Sequence, residues 1–180
     1  GILSFNGNKI ITTGGGGAIL TNNDQLADYA KHLSTTAKVP HAWEFFHDEV
    51  GWNDRLPNIN AALGCSQFED LNQKLKYKRK LHSNFVQSFH DIEDVEIMKE
   101  DENCKSNYWL ITLRLKGKNI EDLRNDILLQ AHKLKIYLRP SWNLLNQLPM
   151  YKNCYCGDLK EAESQSKRLL NLPSSPHLIK

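Results

Sequence analysis

The sequence predicts a mixed α/β fold, and three observations carry that reading. Short apolar runs of β character, such as Val95-Glu96-Ile97-Met98 and the alternating Trp109, Ile111, Leu113 and Leu115, are interleaved with stretches whose apolar residues recur at helical spacing. Of 180 residues, 40% are hydrophobic and 24% charged, which supports a core and excludes a disordered or collagen-like chain. Apolar runs such as residues 39–46 and 108–113 are far shorter than a bilayer span and are interrupted by polar residues, so no membrane helix is expected.

Taken in order, residues 2–20 predict two short strands around a turn. Ile10, Ile11, Thr12 and Thr13 are β-branched, Gly14 to Gly17 follow, and Ala18-Ile19-Leu20-Thr21 resumes an apolar strand. Asn22, Asn23 and Asp24 are cap candidates for a helix that places Leu26, Tyr29, Ala30 and Leu33 on one face and ends near Ser34. Residues 35–56 lack a clean period and predict a long loop with a functional or interfacial role. Pro57 suits the first turn of one long helix carrying Ile59, Ala62, Leu63, Leu71, Leu75, Leu81, Phe85 and Phe89. Asn119 is a cap candidate for the helix with Ile120, Leu123, Ile127, Ala131 and Leu134. Residues 136–138 predict a strand stopped by Pro140, and residues 158–170 a last helix.

Charge and cysteine narrow the function classes. The 23 Lys and Arg exceed the 21 Asp and Glu by two, which gives a polyanion such as nucleic acid little to hold. Cys65, Cys104, Cys154 and Cys156 form no dense disulfide pattern, which points to a reducing, cytoplasmic setting, and no metal site is expected of the C-x-C. His41, His47, Asp48 and Glu49 are the densest titratable group but lack an H-E-x-x-H spacing, so a polar interface or substrate contact is preferred to a metal. Lys74, Lys76, Lys78, Arg79 and Lys80 predict a solvated helix face, and Trp142 and Tyr151 packing residues of a small domain. The chain opens at Gly1 with no signal-like segment, which suggests a processed end or a piece of a longer protein.

The chemistry concentrates in Ser4-Phe5-Asn6-Gly7-Asn8-Lys9-Ile10-Ile11-Thr12-Thr13-Gly14-Gly15-Gly16-Gly17. It fits neither the P-loop nor the dinucleotide pattern. What remains is a lysine on a turn before a Gly-rich hairpin, which permits positive φ and close backbone approach to a ligand; a plain turn with an exposed lysine satisfies the same pattern.

This segment resembles the catalytic-lysine motif of the DegT/DnrJ/EryC1/StrS family of PLP-dependent sugar aminotransferases. A second segment, Gly51-Trp52-Asn53-Asp54-Arg55-Leu56-Pro57-Asn58-Ile59-Asn60-Ala61-Ala62-Leu63-Gly64, is similar to the family's Gly-Tyr-Asn-Tyr-Arg stretch and the helix after it. Arg139-Pro140-Ser141-Trp142, Leu148-Pro149-Met150-Tyr151 and Leu172-Pro173-Ser174-Ser175 resemble landmarks of the subgroup that makes the 4-amino group of legionaminic-acid and bacillosamine-type sugars. Gly15 stands where many members have Glu, and Trp52 and Asp54 replace two tyrosines.

The resemblance implies the C-terminal portion of a fold-type-I PLP-dependent transferase. Residues 1–22 would be the last hairpin of the large PLP-binding domain, 23–92 an interface loop with long helices, and 93–180 a small α/β domain. It implies that Lys9 bonds covalently to PLP and shuttles a proton, tasks an arginine cannot perform because it stays protonated. It implies that Ser4 hydrogen-bonds the cofactor phosphate, and that Asn53 reaches that phosphate from the other subunit of a homodimer. Asn53 read without the resemblance is a turn or helix-entry residue. The implied reaction moves an amino group, from glutamate, to a 4-keto-6-deoxy nucleotide sugar for polysaccharide or glycan assembly. Segments that complete the PLP site in the family have no counterpart before Ser4, so the chain alone is expected to be inactive. The competing reading is a non-catalytic dimerisation or interaction domain.

Overall fold

A hairpin-like pair opens the fold. In the computed structural model, which describes residues 1–179, β1 (Ile2–Ser4) pairs antiparallel with β2 (Gly17–Ile19) in the register Ile2 to Ile19 and Ser4 to Gly17. The β-branched run 10–13, expected in a strand, lies instead in the loop 5–16 between them. There Thr13 N–H and the Thr12 hydroxyl both donate to Phe5 O, at 3.0 and 3.1 Å, so strand propensity yields to loop hydrogen bonds. Helix α1 (Asp24–Ser34) starts as expected, with the Asn23 side chain accepting from Leu26 N at 3.0 Å. Its expected apolar face is not buried: Leu26 and Tyr29 are each half exposed.

The segment 35–56 is not wholly irregular. It holds a short antiparallel pair, β3 (Lys38–Val39) with β4 (Phe46–His47), and a bridge between Thr35 and Asn53. The single long helix expected after Pro57 is two helices, α2 (Asn58–Glu69) and α3 (Leu71–Ser88), with Asp70 between them at φ −91° and ψ −2°. Pro57 occupies the cap position before α2 rather than its first turn.

The chain divides into two compact units, residues 1–72 and residues from 73 onward. The second is built on a four-stranded antiparallel sheet in the order β5-β6-β8-β7, formed by β5 (Val95–Ile97), β6 (Ile111–Leu115), β7 (Arg139–Pro140) and β8 (Leu169–Leu172). Ile111, Leu113 and Leu115 are buried while Thr112 and Arg114 between them are half-buried, as the alternation predicts. Leu170 and Leu172 of β8 join the same core with Leu81 and Phe85 of α3. Ile120, Ile127 and Ala131 come from the next helix, α4 (Ile120–Lys133). Asn119 stands at the start of α4 in the left-handed region, φ 55°, without the expected side-chain cap bond.

Two strand assignments shift. In place of the strand expected at 136–138 the chain forms β7 directly after it, starting three residues later and including Pro140; β7 lies at the sheet edge, where a missing N–H costs no ladder bond. The helix expected at 158–170 is α5 (Lys160–Ser166), after which the chain turns into β8, because Leu170 and Leu172 fill the sheet core. Among the described residues no helix is long and apolar enough to cross a membrane.

The basic run is also not uniformly solvated. Lys78 is 3% exposed, and its ammonium donates to Trp109 O at 3.1 Å and Ser174 O at 2.5 Å. Burial lowers its pKa from 10.5 to about 8. Arg79 pairs with Glu100, which also accepts from Ser106 N at 2.5 Å; the guanidinium and then the amide hold the Glu100 carboxyl down at about 2. Trp142 is not packed away but 66% exposed, stacked on Trp109 at 6.2 Å, and Tyr151 is likewise exposed.

Candidate functional site

The loop 5–16 is held at both ends. Phe5 N–H donates to Gly16 O at 2.9 Å, Gly14 N–H to the Thr12 hydroxyl at 3.0 Å, and the Thr13 hydroxyl to Gly15 O. Thr13 is fully buried, and its carbonyl accepts from the Asn60 side chain at 2.5 Å, which ties the loop to α2. The glycines are used for two different reasons. Gly16 sits at φ 94°, where L side chains are strained, whereas a Cβ on Gly17 would fall 2.4 Å from Leu3 O across the strand pair.

Within this frame two successive hydrogen bonds, both through Asn6, link Ser4 to the backbone of Lys9. Ser4 ends β1, and its hydroxyl accepts from Asn6 N at 3.5 Å; Asn6 O in turn accepts from Lys9 N at 3.0 Å. Lys9 is half-buried and Ser4 exposed. The arrangement presents a primary amine and a hydroxyl on one short, braced loop. Asn53 is placed by other contacts. It is exposed and bridged to Thr35, while Trp52 N–H donates to Leu33 O at 2.7 Å and Asp54 N–H to Ser34 O at 3.0 Å. Residues 52–54 are thus laid along the C-terminal end of α1.

The expected cluster of His41, His47, Asp48 and Glu49 comes apart. His41 Nδ1 accepts from Glu44 N at 3.0 Å, and His47 Nδ1 lies 2.7 Å from Thr36 O, so both serve their own loop. His32, on the last turn of α1, takes their place: its Nε2 lies 2.7 Å from Asp48 Oδ1 and 3.8 Å from Glu49 Oε1. Tyr29 OH donates to Glu49 Oε2 at 2.9 Å. The His32 hydrogen bond holds the Asp48 carboxyl below its usual range, and the bond to Glu49 raises the Tyr29 phenol. Sequence reasoning gave no role to His32, which lies in no motif, or to Asn60, which lies within the 51–64 segment, since their partners are 16 and 47 residues away.

Comparison with known proteins places the chain in a family. The pattern of the DegT/DnrJ/EryC1/StrS aminotransferase family matches residues 1–180, and the chain belongs to that family. It is 34% identical to GDP-perosamine synthase of Escherichia coli O157:H7, over 97% of the chain and 46% of that protein. The aminotransferase PseC of Helicobacter pylori, involved in the biosynthesis of pseudoaminic acid, superimposes with a TM-score of 0.91 at 24% identity, covering 98% of the chain and 48% of PseC. The PLP form of Spr1654 from Streptococcus pneumoniae gives a TM-score of 0.84 at 21% identity, with 97% and 46% covered. The architecture is therefore the mixed helix-and-sheet fold of the fold-type-I sugar aminotransferases. The chain spans less than half the length of these relatives.

Proposed function

We propose that this chain is the C-terminal portion of a PLP-dependent aminotransferase that moves an amino group from glutamate to the 4-keto carbon of a 4-keto-6-deoxy nucleotide sugar. The observation that carries the reading is the braced loop that carries Lys9, linked through Asn6 to Ser4, in a chain of this family. Arg139-Pro140-Ser141-Trp142 and Leu172-Pro173-Ser174-Ser175 support the legionaminic-acid or bacillosamine-type subgroup. The product would enter polysaccharide or glycan assembly, and the enzyme would work in the cytoplasm as a homodimer. Residues 1–22 would be the last hairpin of its large domain, 23–92 the interface loop and long helices, and 93–180 the small domain.

The residues present suit PLP by their chemistry: a half-buried primary amine for its aldehyde and an exposed hydroxyl at the end of β1 for its phosphate, next to a loop whose glycines leave the backbone close and bare. Bound PLP supplies the electron sink that makes a proton on the substrate carbon removable. Lys9 Nζ anchors the cofactor and then carries that proton as general base and acid. Ser4 Oγ holds the phosphate from the same subunit, and Asn53 holds it from the partner subunit. The Thr13–Asn60 bond keeps the loop from drifting during proton transfer, where small misplacements are costly. Exposed Ile2, Ile19 and Leu20 on the strand pair are apolar surface that the rest of such an enzyme would cover.

Borohydride reduction with PLP tests the assignment in a protein joining this chain to the preceding segment that its relatives carry. Peptide mass spectrometry should find the pyridoxyl group on Lys9 and lose it in Lys9→Ala. A competent protein that carries the group on another lysine, or none, refutes the reading.

A further inference from the structure

We propose that His32, Asp48 and Glu49 form a binding site for a divalent transition-metal ion, Zn2+, that joins the end of α1 to the loop after β4. One donor atom from each residue lies within 4.8 Å of the others. An imidazole nitrogen with two carboxylates is a donor set that suits zinc better than magnesium or calcium, which favour oxygen alone. Two carboxylates also balance the ion's double charge.

The distances bracket what zinc requires. Donors about 2.1 Å from a tetrahedral ion stand about 3.4 Å apart. The His32 Nε2 to Asp48 Oδ1 separation of 2.7 Å must open and the 3.8 Å to Glu49 Oε1 must close, each by less than about 1 Å, and the two carboxylates, within 4.8 Å, close by rotation of the exposed side chains. The ion takes the place of the direct His32–Asp48 contact.

What lifts the cluster above an ordinary ion pair is the placement of the remaining groups. Tyr29 OH engages Glu49 Oε2 and leaves Oε1 turned toward His32, the outer-shell role that orients a ligating carboxylate. Asp48 is fixed by its own backbone, whose N–H donates to Ala37 O at 3.3 Å, and His32 by the last turn of a capped helix. Three protein donors leave a fourth position for water or for a ligand. This site is independent of the Lys9 assignment, and its histidine is His32 rather than His41 or His47.

The test uses the full chain, stripped of metal with EDTA and with all four exposed cysteines, Cys65, Cys104, Cys154 and Cys156, replaced by Ser so that thiols do not compete. Titration with Zn2+ by calorimetry should show one ion per chain. His32→Gln and Asp48→Asn should each weaken binding at least about tenfold, and Tyr29→Phe should weaken it less, as loss of an outer-shell partner does. No saturable uptake, or affinity within twofold of the parent in both ligand variants, overturns the site. Should a variant fail to fold, 15N spectra of the parent decide: one equivalent of Zn2+ shifts the His32 Nε2 signal if the site exists, and a signal that stays put overturns it.

Discussion

Replacing Lys78 by Met isolates the effect of burying an ammonium group in the second unit. Burial lowers the Lys78 pKa from 10.5 to about 8, so between those two values the unfolded chain holds a proton that the folded unit has released. The unfolded state binds more protons there, so folding stability rises with pH across this window and the penalty is greatest below pH 8. At 1.36 kcal/mol per pKa unit the ceiling is about 3 kcal/mol. It is a ceiling because Trp109 O and Ser174 O accept from the amine and favour its charged form. The assay is urea unfolding of the wild type and Lys78→Met, followed by circular dichroism from pH 7 to pH 10.5. Subtraction removes every other group that titrates in this range. The difference in unfolding free energy should move in favour of the wild type as pH rises, by up to about 3 kcal/mol. The variant's lost hydrogen bonds add an offset that does not vary with pH, because a neutral amine still donates twice. A difference flat across the window refutes the desolvation argument.

Asn23→Ala removes the acceptor of Leu26 N and should cost α1 about 1 kcal/mol, seen as roughly fivefold faster amide hydrogen exchange in its first turns; unchanged exchange would show the cap to be idle. Glu100→Gln should abolish an acid-sensitive contribution: with the carboxyl at about 2 when folded and near 4.5 when unfolded, the wild type's advantage is complete above pH 4.5 and disappears as pH falls through 2. Acid unfolding curves of the same shape for both proteins would contradict that.

Legibility in the sequence followed the range of the forces involved. The alternation at residues 111–115 and the Asn23 cap depend on neighbours a few residues away, and both appear where the pattern places them, whereas Trp109, expected on the same strand, lies before it. The lysine loop was legible as a motif, but not its brace, since Thr13 meets Asn60 from 47 residues away. Leu169-Leu170-Asn171-Leu172 reads equally well as a helix end or a strand, and only pairing with β6 and β7 decides it. Lys78 looks like its basic neighbours until the carbonyls of Trp109 and Ser174, 31 and 96 residues away, give its ammonium somewhere to go. The same holds for His32, which no local spacing links to Asp48.

The two units achieve order by different means, and the difference bears on the lysine loop. Ten apolar side chains, Leu81 to Leu172, form the buried cluster of the second unit, and each such side chain contributes about 1.5–3 kcal/mol. In the first unit Ala37 is the buried apolar residue among those described, and the loop 5–16 is held mainly by hydrogen bonds, each worth a net of about 1 kcal/mol. Denaturant therefore reads chiefly the second unit, which is why the Lys78 titration can be interpreted there. Lys9, by contrast, sits on the less cohesive unit, where geometry depends on a few directional bonds such as Thr13–Asn60 and on whatever covers Ile2, Ile19 and Leu20. Loss of that cover would disturb the lysine before it disturbed the fold of the sheet.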